Sequence, residues 1–178
     1  MNFERSEGGV LMPVAAALVA GGIFTGQIVR DGKIIDEFDT PNLVVDQGLN
    51  HILDVTFHGV TQIGTWYLGV FEGNYTPVAG LTAATIAGAA TETTAYDETT
   101  RPAYNEAAAA AKVTTNSANK ATFTFNATKT LYGAFLISDS TKAGTSGTLM
   151  AAAKFAAPKG VVATDQLLLT YTFTAASA

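Results

Sequence analysis

Four stretches in the last third of the chain, 121–125, 131–137, 148–155 and 166–173, carry apolar side chains in short runs or in alternation with polar ones. A period of two puts successive side chains on opposite faces of an extended chain, so each stretch is expected to be a strand. Segments with Gly, Pro, Asp or Asn separate them, and antiparallel pairing follows. Further upstream, 27–38 holds two β-forming runs on either side of Asp31-Gly32, a strong two-residue hairpin signal. The aromatic run Thr65-Trp-Tyr-Leu-Gly-Val-Phe71, bounded by Gly64 and Gly73-Asn74, reads as a buried strand. About seven strands of this kind suffice for a mainly β fold, an antiparallel β-sandwich or jelly roll.

One segment has a different period. Over 46–58, Leu49, Ile52, Leu53 and Phe57 recur at intervals of three to four, with Asp46 placed to cap the start and Gly59 to end it. One short amphipathic α-helix is expected there, packed across an open end or face of the sandwich. The expected core comprises Leu49, Leu53, Trp66, Leu68, Phe123, Phe135, Leu168 and Tyr171. The Ala/Thr-rich middle, 76–119, has no clear period and reads as long loops with short strands near Ala95-Tyr96 and Ala103-Tyr104.

Residues 1–24 show no alternation of their own and are expected to form an extended N-terminal arm, with 25–178 as a single β-sandwich domain. Fully extended, the arm would reach roughly 80 Å at about 3.3 Å per residue. Burying Val10, Leu11, Met12, Val14, Leu18, Val19, Ile23 and Phe24 would yield on the order of 12 kcal/mol. Fixing two dozen backbones costs at least as much. These eight side chains are therefore the expected interface of an arm that orders on a neighbouring subunit.

Composition sharpens this picture. Of 178 residues, 48% are apolar and only 14% charged, below the quarter or so usual in soluble domains. Thr, Ser, Asn and Gly must cover the surface, and Thr suits a half-exposed strand. There is no cysteine, which excludes disulfides and thiolate metal sites. The formal charge is −5 and the ten basic residues are scattered, whereas phosphate-backbone binding needs a positive patch. No direct nucleic-acid partner is expected. The apolar run 8–24 contains Pro13 and paired glycines and follows Glu4, Arg5 and Glu7. It fits neither a spanning helix nor a signal peptide, so no membrane role is expected.

Candidate chemistry is sparse. His51, Asp54 and His58 share a helix face, but the histidines lie about 10 Å apart along the axis at 1.5 Å per residue, so a solvated face is favoured over a metal site. The acidic group Asp36, Glu37 and Asp39 lacks the spacing of a calcium loop. Asp97, Glu98 or Glu106 could in principle supply a glycosidase pair, yet nothing in the sequence brings them together. There is no G-x-S-x-G, phosphate loop or H-E-x-x-H pattern. No enzyme activity, metal or cofactor is expected. Trp66, Tyr67, Tyr75, Tyr96 and Tyr104 could stack on sugars, but strand residues of this kind divide between core and surface.

Four phrases carry a resemblance: Pro41-Asn-Leu-Val-Val-Asp-Gln-Gly-Leu-Asn-His-Ile-Leu-Asp54, Thr65-Trp-Tyr-Leu-Gly-Val-Phe-Glu-Gly-Asn-Tyr-Thr-Pro77, Thr94-Ala-Tyr-Asp-Glu-Thr-Thr-Arg-Pro102 and Leu131-Tyr-Gly-Ala-Phe135. Over roughly 41–174 the chain resembles small structural proteins of tailed-bacteriophage virions. The resemblance implies a non-enzymatic role, the nearest comparison being jelly-roll capsid decoration (cement) proteins that bind and stabilise the head shell. A tail, baseplate or fibre component, with receptor binding, stays open as the alternative. Implied partners are the major capsid protein or other virion proteins and further copies of the chain as a homo-oligomer. The implied location is a virion assembled in the bacterial host cytoplasm. Residues 1–24 lie outside the resemblance, which carries over no catalytic residues.

Overall fold

A computed structural model describes residues 3–5, 11–13 and 18–177. The strands are β1 (Phe3–Arg5), β2 (Leu11–Pro13), β3 (Leu18–Arg30), β4 (Lys33–Pro41), β5 (Leu43–Val44), β6 (Trp66–Phe71), β7 (Ala103–Tyr104), β8 (Val113–Thr115), β9 (Ala121–Thr124), β10 (Lys129–Ile137), β11 (Leu149–Val161) and β12 (Gln166–Ser177). The helices are α1 (Asp46–Phe57) and α2 (Ala83–Ala89). The protein is mainly β, with two antiparallel five-stranded sheets forming a sandwich.

Sheet I runs β5-β11-β10-β6-β7. Sheet II runs β4-β3-β12, and the far edge of β12 is shared by β9 near its start and β8 near its end. The hairpin at Asp31-Gly32 forms as the sequence indicates, with both residues at positive φ (50° and 73°) and Arg30 paired to Lys33. Positive φ at both central positions gives the turn the twist that antiparallel strands need.

The main core lies between the sheets. Phe24 and Ile28 of β3 and Leu167, Leu169 and Tyr171 of β12 meet Leu131, Leu136, Ala151 and Ala153 of sheet I. The other face of sheet I is buried too: Phe135, Ile137, Leu149 and Ala152 pack with Leu81, Ile86 and Ala90. Burial on both faces explains why β10 and β11 read as near-continuous apolar runs. Opposite Phe71 on β6 stands Gly133 on β10, whose missing side chain leaves room for the ring.

Four expectations need correction. The Ala/Thr tract contains the second helix, α2, which the loop reading did not foresee. Thr82 and Thr85 close a capping box there, and Ala83, Ile86 and Ala90 fall at helical spacing on sheet I. The capping residue of α1 is Val45, without a side-chain cap, and Asp46 is the first helical residue. Its charge still sits favourably in the first turn. Leu168 is only half-buried, because it lies on the opposite side of the pleat from Leu167, Leu169 and Tyr171. Leu49 and Leu53 are exposed rather than in the core.

The arm also differs from its expected extent. The long strand β3 begins at Leu18, not after Phe24, and pairs with β12 from Leu18↔Ser177 to Val29↔Gln166. Phe24 is fully buried, 4.6 Å from the Tyr171 ring, and so belongs to the domain core. Val19 and Ile23 point outward from the same strand. Leu11 and Met12 lie in β2, which pairs with β1 as a separate two-stranded sheet. Val10 and Val14 fall outside the described residues.

Candidate functional site

α1 is mounted on sheet I and the start of α2. Its N-terminal end is clamped by Gln47, whose Oε1 accepts hydrogen bonds from the backbone N–H groups of Ala83 and Leu149, both at 2.9 Å. The next residue, Gly48, is buried directly against the Met150 backbone, where a Cβ would lie 2.9 Å from the Met150 Cα. Ile52 packs on the main core, and His51 meets the Trp66 ring edge-on at 5.5 Å. Gly48, His51 and Ile52 thus form the inward face.

At about 100° per residue, Leu49, Leu53 and Phe57 lie between roughly 100° and 180° around the helix from Gly48. They face solvent, Phe57 with 82% of its surface exposed, and Val60 is exposed beyond the Gly59 stop. The apolar stripe of α1 is therefore wider than its own domain can cover. Three large apolar side chains of one helix thus share an exposed face.

Beside α1 the sandwich stays open. Between β7 and β8, which are only two and three residues long, a cleft of about 390 Å³ enters the space between the sheets. Trp66, Tyr104, Tyr171 and Phe173 provide aromatic walls, while Gln62, Glu106 and Thr114 bring polar groups to it. The Tyr104 and Tyr171 rings meet edge-on at 5.7 Å. The Tyr171 hydroxyl accepts a hydrogen bond from Asn42 Nδ2 at 2.9 Å. The Tyr104 hydroxyl is buried beside the Thr114 hydroxyl. Burial pushes its pKa up to about 12, against the hydrogen bond to Thr114, with the Glu106 carboxylate adding to the rise.

The remaining candidate groups serve the fold. Among the described residues, no three His, Cys, Asp or Glu side chains gather as a metal-ligand set. Of the acidic group on β4, Asp36 pairs with Lys159 at 2.9 Å, whereas Glu37 and Asp39 are exposed. The pleat thus divides them. Both carboxylate oxygens of Glu98 accept from the Thr124 N–H, at 3.1 and 3.0 Å, and Asp97 accepts from Asn126. Glu106 alone of the three proposed glycosidase carboxylates lines the cleft. Tyr96 is buried, and Tyr67 and Tyr75 pack against the second core. Trp66 and Tyr104 are therefore the two of the five aromatics that reach a cavity.

The sequence reading did not single out Glu92 and Arg101. They form a fully buried ion pair that ties residues 92–101 to the loop at 139–144. Among the described residues no helix is long and apolar enough to cross a membrane. No protein-family model matches the chain, and no curated protein matches it either.

Proposed function

We propose that this protein is a structural component of a tailed-phage virion, a decoration (cement) protein that binds the head shell and stabilises it through packing rather than chemistry. The observation that carries this reading is the outward apolar face of α1, where Leu49, Leu53 and Phe57 stand in solvent on a helix anchored by Gly48 and Gln47. A rigidly mounted apolar face loses little entropy on docking. The resemblance of four sequence phrases to virion proteins supports a partner in the particle, the major capsid protein or another virion protein. The jelly-roll comparison belongs to that resemblance and not to the strand order. In this reading the protein is not an enzyme, needs no cofactor and acts in the assembled particle.

One observation favours a tail, baseplate or fibre location instead. β3 and β12 stay paired beyond the end of β4 at Ile23↔Pro41 and of β8 at Val113↔Thr174. A two-stranded ribbon whose edges carry no further strand among the described residues thus extends from sheet II, and such edges add strands from further copies. Quantitative mass spectrometry of purified particles against the major capsid protein separates the readings. Copies by the hundred mean decoration, a handful mean tail, and absence from particles ends both.

A further inference from the structure

We infer that the cleft between β7 and β8 is a binding site for a neutral saccharide ring. The inference goes beyond the structural role and is independent of where in a particle the domain sits.

Protein cores close to crystal-like density, yet here the space between the sheets stays open beside α1. The reason is local. β7 and β8 are too short to bring the sheet edges together, and the segment that passes the mouth presents Ala107, Ala108 and Ala109, whose side chains are too small to fill it.

The lining selects the ligand by elimination. No Lys or Arg lines the cleft while Glu106 does, and the chain carries a net −5 charge, so an anionic ligand would meet repulsion without a counter-charge. Aromatic walls beside a carboxylate would suit a quaternary ammonium. Such a cation, however, can neither donate to nor accept from Gln62 and Thr114, whose polar groups it would cover. A neutral sugar meets every demand: its C–H face lies on an aromatic ring, and its hydroxyls can pair with Glu106, Gln62 and Thr114. Amphipathic ligands of this kind suit clefts that are mostly apolar with a few polar groups.

Trp66 is the single tryptophan of the chain and lines the cleft, so its fluorescence reports on this site alone. The full chain is titrated with methyl glycosides of glucose, galactose, mannose and N-acetylglucosamine and with their short oligosaccharides. Glucuronate, choline and an anilinonaphthalene sulfonate dye are run beside them, and saturation-transfer NMR provides a second readout. At least one neutral saccharide should change Trp66 emission saturably. Gln62→Ala, at an exposed position and with an unchanged circular dichroism spectrum, should weaken that binding about tenfold through the lost hydrogen bond. Ala108→Phe, at an exposed position, should block it with thermal stability intact. The proposal is overturned if no neutral saccharide gives a saturable response, if only choline or the dye binds, or if both variants bind as the parent does.

Discussion

Arg101 and Glu92 face each other as a two-point ion pair, Nε to Oε1 at 2.8 Å and Nη2 to Oε2 at 2.6 Å, and neither side chain reaches solvent. Arg101 also donates to the Asp139 and Gly144 carbonyls, at 2.8 and 3.1 Å, and the Ala143 N–H donates to Glu92. With its charge paired and its donors used, the guanidinium fastens two loops across the outer face of sheet I. Breaking one partner leaves a buried charge alone. Arg101→Ala or Glu92→Ala should each cost about 3–5 kcal/mol in urea denaturation, and the double change Arg101→Met with Glu92→Leu should cost less than either. Single variants within about 1 kcal/mol of wild type would contradict the assignment.

Gly48 gives a sharper test, because two effects oppose each other. Alanine is the better helix former by about 1 kcal/mol, but its Cβ would strike the Met150 backbone. Overpacking against main chain typically costs about 1–3 kcal/mol. A net loss of stability from Gly48→Ala is expected in thermal unfolding, and a gain would mean that α1 does not seat through this residue.

The outer face of the same helix should behave in the opposite way. Leu53→Ser and Phe57→Ser change exposed positions and should stay within about 0.5 kcal/mol of the parent fold. Attachment to particles should nevertheless fall, measured by co-sedimentation with shells that lack the protein. Unaltered attachment would remove α1 from the interface.

Acid should loosen the β11–β12 turn. Asp165 is held below the usual carboxylate range by its hydrogen bonds from Arg30, at 2.8 and 2.7 Å, and from the Val162 N–H, against the opposing effect of desolvation. A lowered folded pKa contributes stability above the unfolded value near 4, and that contribution is lost as pH falls through the folded value. Asp165→Asn should thus be less stable than wild type near neutrality and show a shallower decline in acid. Equal acid slopes in urea titrations would discount the pair.

Glu98→Ala separates a fold role from a surface one. Because both of its oxygens face the Thr124 N–H, truncation should cost about 1 kcal/mol, whereas Asp54→Ala and His58→Ala, on the exposed side of α1, should cost less than half that. Chemical denaturation of the three variants distinguishes them.

What the sequence disclosed follows from the range of the forces involved. Asp31-Gly32 specifies its turn locally, and the span of α1 follows from side-chain spacing and the Gly59 stop. Hydrophobicity points to the wrong face of α1, because the contact is made by Gly48, a residue that it does not register. The helix α2 was legible in the spacing of Ala83, Ile86 and Ala90, but the weak side chains of an Ala/Thr tract obscured it. Leu168 reads as internal because a run of three leucines hides which parity faces the core. The cleft is a different case: Trp66, Tyr104 and Tyr171 come from strands far apart in sequence, and no local pattern says that they meet.

β12 is the keystone of sheet II, holding β3 along one edge and β9 and β8 along the other. During synthesis β3 leaves the ribosome long before this partner exists. Until then the nascent chain carries the β3–β4 hairpin with one edge open, and Phe24 and Ile28 have no second strand to shelter beside. Non-local pairing of this kind is slow and exposes sticky intermediates. The chain must therefore complete sheet II after most of it has been translated, and chaperone supply, more than intrinsic stability, should limit the yield of soluble protein at high expression.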